Sequence, residues 1–499
     1  MTLARALCVS FSLSSILTLA CPALTQSGPV SPSGSLSATY SPAAKQLIDA
    51  SLADEQGYKN LTYLCDHIGK RISGSEPLNR AIAWAAETMK AEGLANVHTQ
   101  AATVPHWVRG EESGEIVAPV TKKLHLLGLG MSVATPPGGI TADVVVVPDF
   151  DALKKLGRAG VEGKIVVYNA PYKGYGQTVM YRVAGPSQAA ALGAVGVLVR
   201  SITPLAMQVP HTGTLGYDPK QPKIPAAAIS IEDALMLARL QREGEPVKVH
   251  FSMQAHLEAP VGQANVMGEI VGSEHPEQIV VLGGHIDSWD VGQGAQDDGS
   301  GIMATLAAVN VIKQSGLKPK RTIRVVFWVN EENGGAGGIA YEKALTPEQL
   351  KNHVAAIEMD GGAETPVGYG YGAAAGGARF RRAMPGQPPP PETPLSDAEQ
   401  HSLALLQQIG SLLAPVGASK MTAGGGGSDI GPLMAAGVPG LGEETTAAHY
   451  FDWHHTEADT LDKVDPTEFR KNVASLAVLT YVLADMPETL AGHPGAGEE

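Results

Sequence analysis

Cysteine is almost missing: three residues, Cys8, Cys21 and Cys65, in a chain of 499. Two of them lie in or beside an N-terminal apolar stretch. That excludes a disulfide framework and a cysteine metal cage for the folded part, and Cys65 reads as a buried, inert thiol. Aromatic residues are sparse at 5%, so a core must come from Ala, Val, Leu and Ile. Basic charge is short too, with 36 Lys and Arg against 50 Asp and Glu and a net charge of −14. This balance excludes nucleic acid as a partner and argues against an electrostatic membrane footprint; solubility accounts for it. Beyond the N-terminus no apolar run reaches the roughly 20 residues that a spanning helix needs.

What is present begins with a secretory pattern. Arg5 precedes an apolar core over 6–20, and Cys21-Pro22-Ala23 supplies a small-residue exit, with cleavage expected after Ala23. A secreted or periplasmic location follows. Leu19-Ala20-Cys21 offers an alternative, a lipoprotein anchor at Cys21, although Thr18 stands where such signals favour Leu. Residues 24–39, rich in Ser, Pro, Gly and Thr, read as a disordered linker. The remaining length is too great for one ordinary core and predicts two domains.

Apolar spacing predicts helices over 41–53, 55–68 and 77–92, then a strand over 96–104, a start that suits an α/β domain. From 115 to 261 the pattern changes. Strand-like runs at 140–147, 163–168, 193–199, 226–231 and 247–253 are interleaved with helical stretches at 184–192 and 232–243. No cluster of candidate metal donors lies in this segment. It is expected to be an inserted, mainly-β domain that helps to wall a cleft and has no chemistry of its own. A strand at 265–271 and helices at 299–316, 396–413 and 466–485 then return to the first domain, expected over 40–114 and 262–490. Four consecutive prolines at 388–391 predict an extended surface loop over 385–394. The expected fold class is α/β, a mixed central sheet flanked by helices, with the mainly-β insertion.

The chemistry gathers at the ends of strand-like runs. Ile279 to Leu282 runs into Gly283-Gly284 and then His285, Asp287, Asp290, Asp297 and Asp298. Thr322 to Val329 ends in Asn330-Glu331-Glu332, and Val354 to Met359 ends in Asp360. Trp453-His454-His455-Thr456 is the fourth such place. Ligands of open α/β sheets bind beyond the carboxyl ends of strands, and imidazoles with carboxylates suit zinc or a similar divalent ion. Each residue alone has a plainer explanation: a loop histidine, a solvated Glu-Glu pair, or, for Asp298, a turn or a helix cap. Asp287 shares a strand face with His285 and can accept its second imidazole N–H. On an extended backbone Glu331 and Glu332 point to opposite faces, which a turn can relax; this permits one ligand and one free carboxylate.

Five segments carry a resemblance: GGHIDSWDVGQGAQDDGSG, the Glu331-Glu332 pair, Glu358-Met359-Asp360, GSDIGPLMAAGVPG (427–440) and HHTEADT (454–460). In this order they resemble the zinc-dependent exopeptidases of the bacterial aminopeptidase and carboxypeptidase Q type, and the spacer SWDVGQGA points to the carboxypeptidase Q branch. GKIVVYNAP, GAVGVLVRS and KIPAAAISIEDALML resemble the protease-associated domain inserted in many such peptidases. The resemblance implies two zinc ions bridged by Asp297, with His285 and Asp360 on one and Glu332 and His455 on the other. It implies Glu331 as general base toward a water activated by the ions. It also implies a short-peptide or dipeptide substrate with free termini, and a homodimer. His454 remains the alternative to His455, which the pattern His-Thr-x-x-Asp-Thr favours. His449 and Asp452 stay unassigned, and Tyr450 is either a donor to the tetrahedral oxyanion or a packing residue. The rivals are an aminopeptidase of the same family, a glutaminyl cyclase-like acyltransferase with one metal, and a receptor-like binding protein that has lost the site. The full donor set and the inserted domain argue against the acyltransferase, and the full donor set with Glu331 argues against the binding protein.

Overall fold

The computed structural model describes residues 35–372 and 395–492. The N-terminal apolar stretch with Cys8 and Cys21, most of the expected linker and the proline-rich run 385–394 lie outside the described residues. The linker expected up to residue 39 ends sooner. The first helix, Leu36–Ala53, starts where Ser35 Oγ accepts from the Ala38 N–H, a serine N-cap.

The first of two eight-stranded sheets has the order Ala95–Val108, His256–Ile270, Arg321–Trp328, His275–His285, His353–Glu358, Gly440–Thr445, Pro366–Gly372, Lys420–Ala423. Its four middle strands, Arg321–Trp328 to Gly440–Thr445, are mutually parallel. Three of them carry near-continuous apolar runs because both faces are covered, while Gly440–Thr445 is rich in Gly and Glu. Alternation divides each run between the two layers. Val280, Leu282, Ile323, Val325 and Phe327 pack with the helices Leu36–Ala53, Ser300–Gln314 and Pro466–Asp485. Ile279, Val281, Val326 and Trp328 pack on the other side against Tyr341, Leu433 and Met434. The helix Ser300–Gln314 is buried at every position from Ser300 to Ile312, directly behind the Asp297 turn.

The second sheet is also mixed, in the order Lys122–Lys123, Glu112–Ala118, Lys248–Met253, Ile140–Val147, Ile165–Tyr168, Gly196–Arg200, Ala226–Ile229, Leu126–Gly128. Helices Phe150–Val161, Gly185–Ala191 and Ile231–Arg242 flank it. Both expected limits of the insertion, 115 and 261, fall inside strands. The chain passes between the sheets along one long antiparallel pair, from Ala95 opposite Glu269 to Val108 opposite His256. At the far end of that pair Trp107 meets Trp289 edge-on, with ring centroids 6.4 Å apart. Beside them Arg109 grips Asp290 with two hydrogen bonds, of 2.7 Å from Nε and 2.5 Å from Nη2. This planar bidentate pair ties the second sheet to the loop after His285.

Candidate active site

His285, Glu332 and Asp360 come from the carboxyl ends of neighbouring parallel strands, Asp297 from the turn before the helix Ser300–Gln314, and His455 from the turn after the short helix Tyr450–Trp453. His285 is the last residue of its strand and lies opposite Trp328, while Gly283 lies opposite Glu358. Two glycines beside His285 make room for a buried carboxylate. A Cβ at Gly284 or at Gly301 would stand 2.0 Å from an Asp298 oxygen. Asp298 Oδ2 accepts the His285 backbone N–H at 3.0 Å. The cap expected of Asp298 is not made, since the helix Ser300–Gln314 has no side-chain N-cap bond; the carboxylate holds the His285 main chain instead. Burial pushes it well above the usual carboxylate range.

Asp297 sits at the centre. Its Oδ1 is 3.3 Å from His285 Nε2, and its Oδ2 is 3.1 Å from His455 Nε2. Asp360 Oδ1 lies 3.4 Å from His285 Nε2, and Glu332 Oε2 lies 3.1 Å from His455 Nε2. All five sequence-derived donors therefore meet, in two groups that share Asp297. His285, Asp297 and Glu332 are nearly inaccessible, and Asp360 keeps 25% of its side chain exposed. His454 stacks on His455, with ring centroids 3.7 Å apart, and with Asp297 and His455 it too forms a donor group. Burial, with the neighbouring His455, pushes its pKa well below the ordinary imidazole value. Asp290 stands apart, taken by Arg109. His449 is exposed and paired with Asp452 at 2.9 Å. The Tyr450 ring packs against Phe451 and His454. Burial, and then the field of Asp297, Asp360 and Glu332, holds its hydroxyl protonated.

Asp287 acts differently from its expected role. His285 Nδ1 donates to the Asp287 backbone carbonyl at 3.0 Å, whereas the nearest carboxylate oxygen is 3.8 Å away. The carboxylate instead accepts the backbone N–H of Glu331 at 3.1 Å and of Glu332 at 3.4 Å, and the Ser73 hydroxyl at 3.1 Å. Asn330, at φ 71°, turns the chain just before this pair and donates to Ser73 Oγ at 3.0 Å. Glu331 and Glu332 thus stand on a turn rather than on an extended strand. Burial, with Asp360 and Asp287 adding, outweighs His285 and a Ser428 hydrogen bond and pushes Glu331 up to about 7.

Sequence reasoning missed several supports. Asp459 accepts the backbone N–H groups of Ala295, Gln296 and Asp297 at 3.2, 2.7 and 3.2 Å; its only signal was its place in HHTEADT. Arg71, fully buried, donates to the carbonyls of Ile286, Gly69, Gln293 and Gly294. It thereby gathers the loop between His285 and Asp297. Glu358 accepts from the Ser428 and Ile430 N–H groups, both at 2.8 Å. The only signal for Glu358 was its place in Glu358-Met359-Asp360, and no local pattern marks Arg71.

The donor set fits zinc. Tetrahedral ligands about 2.0–2.1 Å from a zinc ion stand about 3.3–3.4 Å from one another, close to the spacings around His285 and slightly wider than those around His455. His285 Nε2, Asp297 Oδ2 and Glu332 Oε1 are buried without a hydrogen-bond partner, a state that buried polar atoms rarely hold unless something else satisfies them. Neutral imidazole nitrogen and carboxylate oxygen are the ligand types that zinc takes.

Comparison with known proteins agrees. The model of peptidase family M28 matches residues 265–480. Carboxypeptidase Q of Mus musculus is 38% identical over 456 residues, which cover 91% of each chain. Carboxypeptidase Q of Homo sapiens is 38% identical, with 90% of each chain covered. Among solved structures, a peptidase M28 precursor from Shewanella amazonensis superposes with a TM-score of 0.82 at 31% identity, covering 92% of this chain and 99% of that one. A zinc aminopeptidase from Bacillus subtilis shares the fold, with a TM-score of 0.61 at 18% identity over 87% of this chain and 95% of that one. With kinship over nine-tenths of its length and this donor set at its strand ends, the chain belongs to peptidase family M28 and is a metallo-exopeptidase.

Proposed function

We propose that this chain is a two-zinc exopeptidase that cleaves dipeptides or short peptides with free termini, in the manner of carboxypeptidase Q. The observation that carries this reading is the Asp297 carboxylate, whose two oxygens face two different histidines at 3.3 and 3.1 Å. In it, His285 and Asp360 would hold one ion and Glu332 and His455 the other, with Asp297 shared between them. When bound, such a pair supplies Lewis acidity, activating a water and polarising the scissile carbonyl. Glu331 takes the proton of the attacking water as the C–O bond forms. It returns that proton to the amine nitrogen as the C–N bond breaks. Asp287 holds the Glu331 and Glu332 amides and so positions both carboxylates.

The inserted unit is read as residues 112–253, the span of the second sheet, in place of 115–261, and as a protease-associated domain. Secretion or export to the periplasm and a homodimer complete the proposal. Among the described residues no helix is long and apolar enough to cross a membrane.

An aminopeptidase is the second reading, favoured by the fold shared with the Bacillus subtilis enzyme. A panel of free, N-blocked and C-amidated dipeptides, each with and without chelator and restored zinc, separates the two. Cleavage only when both termini are free supports the dipeptidase. Cleavage of C-amidated but not N-blocked members makes it an aminopeptidase. No zinc-dependent cleavage of any member overturns the proposal.

A further inference from the structure

The two halves of the donor set are supported from different places. His285 is held within the first sheet: its Nδ1 donates to the Asp287 carbonyl and its backbone N–H to Asp298. His455 and Glu332 are also held from the inserted unit, by residues 212–214 in the loop between its strands Gly196–Arg200 and Ala226–Ile229. The Thr212 N–H donates to the His455 carbonyl at 3.0 Å, and the Thr212 carbonyl lies 3.3 Å from His455 Nδ1. When Nε2 serves a metal ion, Nδ1 carries the proton and donates to that carbonyl; Arg182 Nη1 stands 3.5 Å from the same nitrogen. Two residues on, Thr214 Oγ1 donates to the Glu332 carbonyl at 2.7 Å. Among the described residues, no hydrogen bond from the second sheet reaches His285 or Asp360.

Residues 212–214 are themselves fixed. Gly130 donates to the Gly213 carbonyl at 3.0 Å and accepts from Leu215 at 3.1 Å, and Thr212 Oγ1 donates to the Gly128 carbonyl at 2.7 Å. The buried Arg182 donates from Nη1 to the Thr212 carbonyl at 3.0 Å and from Nη2 to the Tyr175 hydroxyl at 2.8 Å. Gly213 is required for this approach. It sits at φ +131°, and a Cβ there would come 2.2 Å from Arg182 Nη1. One carbonyl, that of Thr212, thus accepts from both the imidazole and the guanidinium.

We propose that residues 212–214 and Arg182 are positioning residues for the His455/Glu332 metal position alone. This loop of the inserted unit then tunes the occupancy of one metal position, beside Asp287 at the Glu332 amide, and leaves the His285/Asp360 position untouched. This rests on the two-metal reading above. Partners that orient a ligating histidine from behind are worth about 10- to 100-fold in metal affinity.

The test is zinc binding by the full chain, followed by competition with a chelator at buffered free zinc, beside thermal unfolding of the metal-free forms. Thr214→Val removes one hydroxyl and keeps the shape of the side chain. Arg182→Met removes the guanidinium, and Arg182→Lys restores a single donor. Wild type is expected to hold two ions. Thr214→Val and Arg182→Met should keep one at wild-type affinity and bind the other about 10- to 100-fold more weakly, with Arg182→Lys between. The metal-free melting of Thr214→Val should match wild type, so that this variant carries the test if Arg182→Met fails to fold. In an Asp360→Ala background, where the remaining ion sits at His455/Glu332, Thr214→Val should weaken that ion by the same factor. Equal weakening of both ions, or of neither, overturns the inference while the two-metal reading stands. A wild-type count other than two removes the two-metal reading and the inference with it.

Discussion

Glu331 and Glu332 are neighbours with different partners. Glu332 touches His455 at 3.1 Å, whereas Glu331 makes no such contact with a histidine among the described residues; burial pushes both carboxyls up, Glu331 to about 7 and Glu332 to about 8, and a general base works best near the operating pH. Glu331→Gln is expected to keep the full zinc content and to lose about 10²- to 10⁴-fold in kcat. Steady-state kinetics with metal analysis checks this, and a variant near the wild-type rate would remove Glu331 from the role. Cys65 is the opposite kind of residue, a titratable group without a task. Its thiol is 2% exposed, and burial pushes it up to about 12. The thiolate is the reactive form. In a variant whose single cysteine is Cys65, a thiol reagent at pH 8 should label nothing in the native state and one group per chain after unfolding. Rapid native labelling would contradict the packing described.

At the scale of elements, the loop from Ile286 to Gln296 decides the site. It joins two donors, His285 and Asp297, and is held by Arg71 from one side and Asp459 from the other. Asp459 can accept three backbone N–H groups only as a carboxyl with both oxygens turned to the loop. In Asp459→Asn one of these oxygens becomes an NH₂ donor that faces an N–H. The expected cost is about 1–3 kcal/mol of stability, read from denaturant midpoints, together with weaker zinc retention because Asp297 is no longer fixed. Unchanged midpoint and unchanged zinc content would show that the loop is held without Asp459.

On the scale of the whole molecule, three buried or largely buried carboxylates, those of Asp297, Glu332 and Asp360, converge on two imidazoles. Such a cluster needs cations to be stable. Removing them with a chelator should abolish activity and lower the melting temperature. An ion held at a thousand times its Kd contributes about 4 kcal/mol, which corresponds to a fall of about 5 °C or more. Zinc should restore both. A chain that melts at the same temperature with and without chelator would argue that the cluster is stable without an ion. The Arg109–Asp290 pair and the contacts of residues 212–214 also make the two sheets one working unit, since each reaches the loops that carry the donors.

The sequence by itself determined several of the elements and the candidate donors. Apolar periodicity is local, so the strands that end at His285, Trp328 and Glu358 and the helix Pro466–Asp485 could be read from spacing alone. Donor chemistry is a property of residue type, so the imidazoles and carboxylates at strand ends pointed to a metal before any distance was known. Tertiary structure alone decided how each group is used. Asp290 left the donor list because Arg109, 181 positions away, takes it. Asp298 became a partner of the His285 amide because Gly284 and Gly301 leave room for it. The inserted segment looked free of chemistry because it holds no donor cluster, yet it reaches His455 across 243 positions and Glu332 across 118. Such pairings leave no period in the sequence. They arise only when packing places one backbone carbonyl or hydroxyl against a candidate donor from a distant part of the chain.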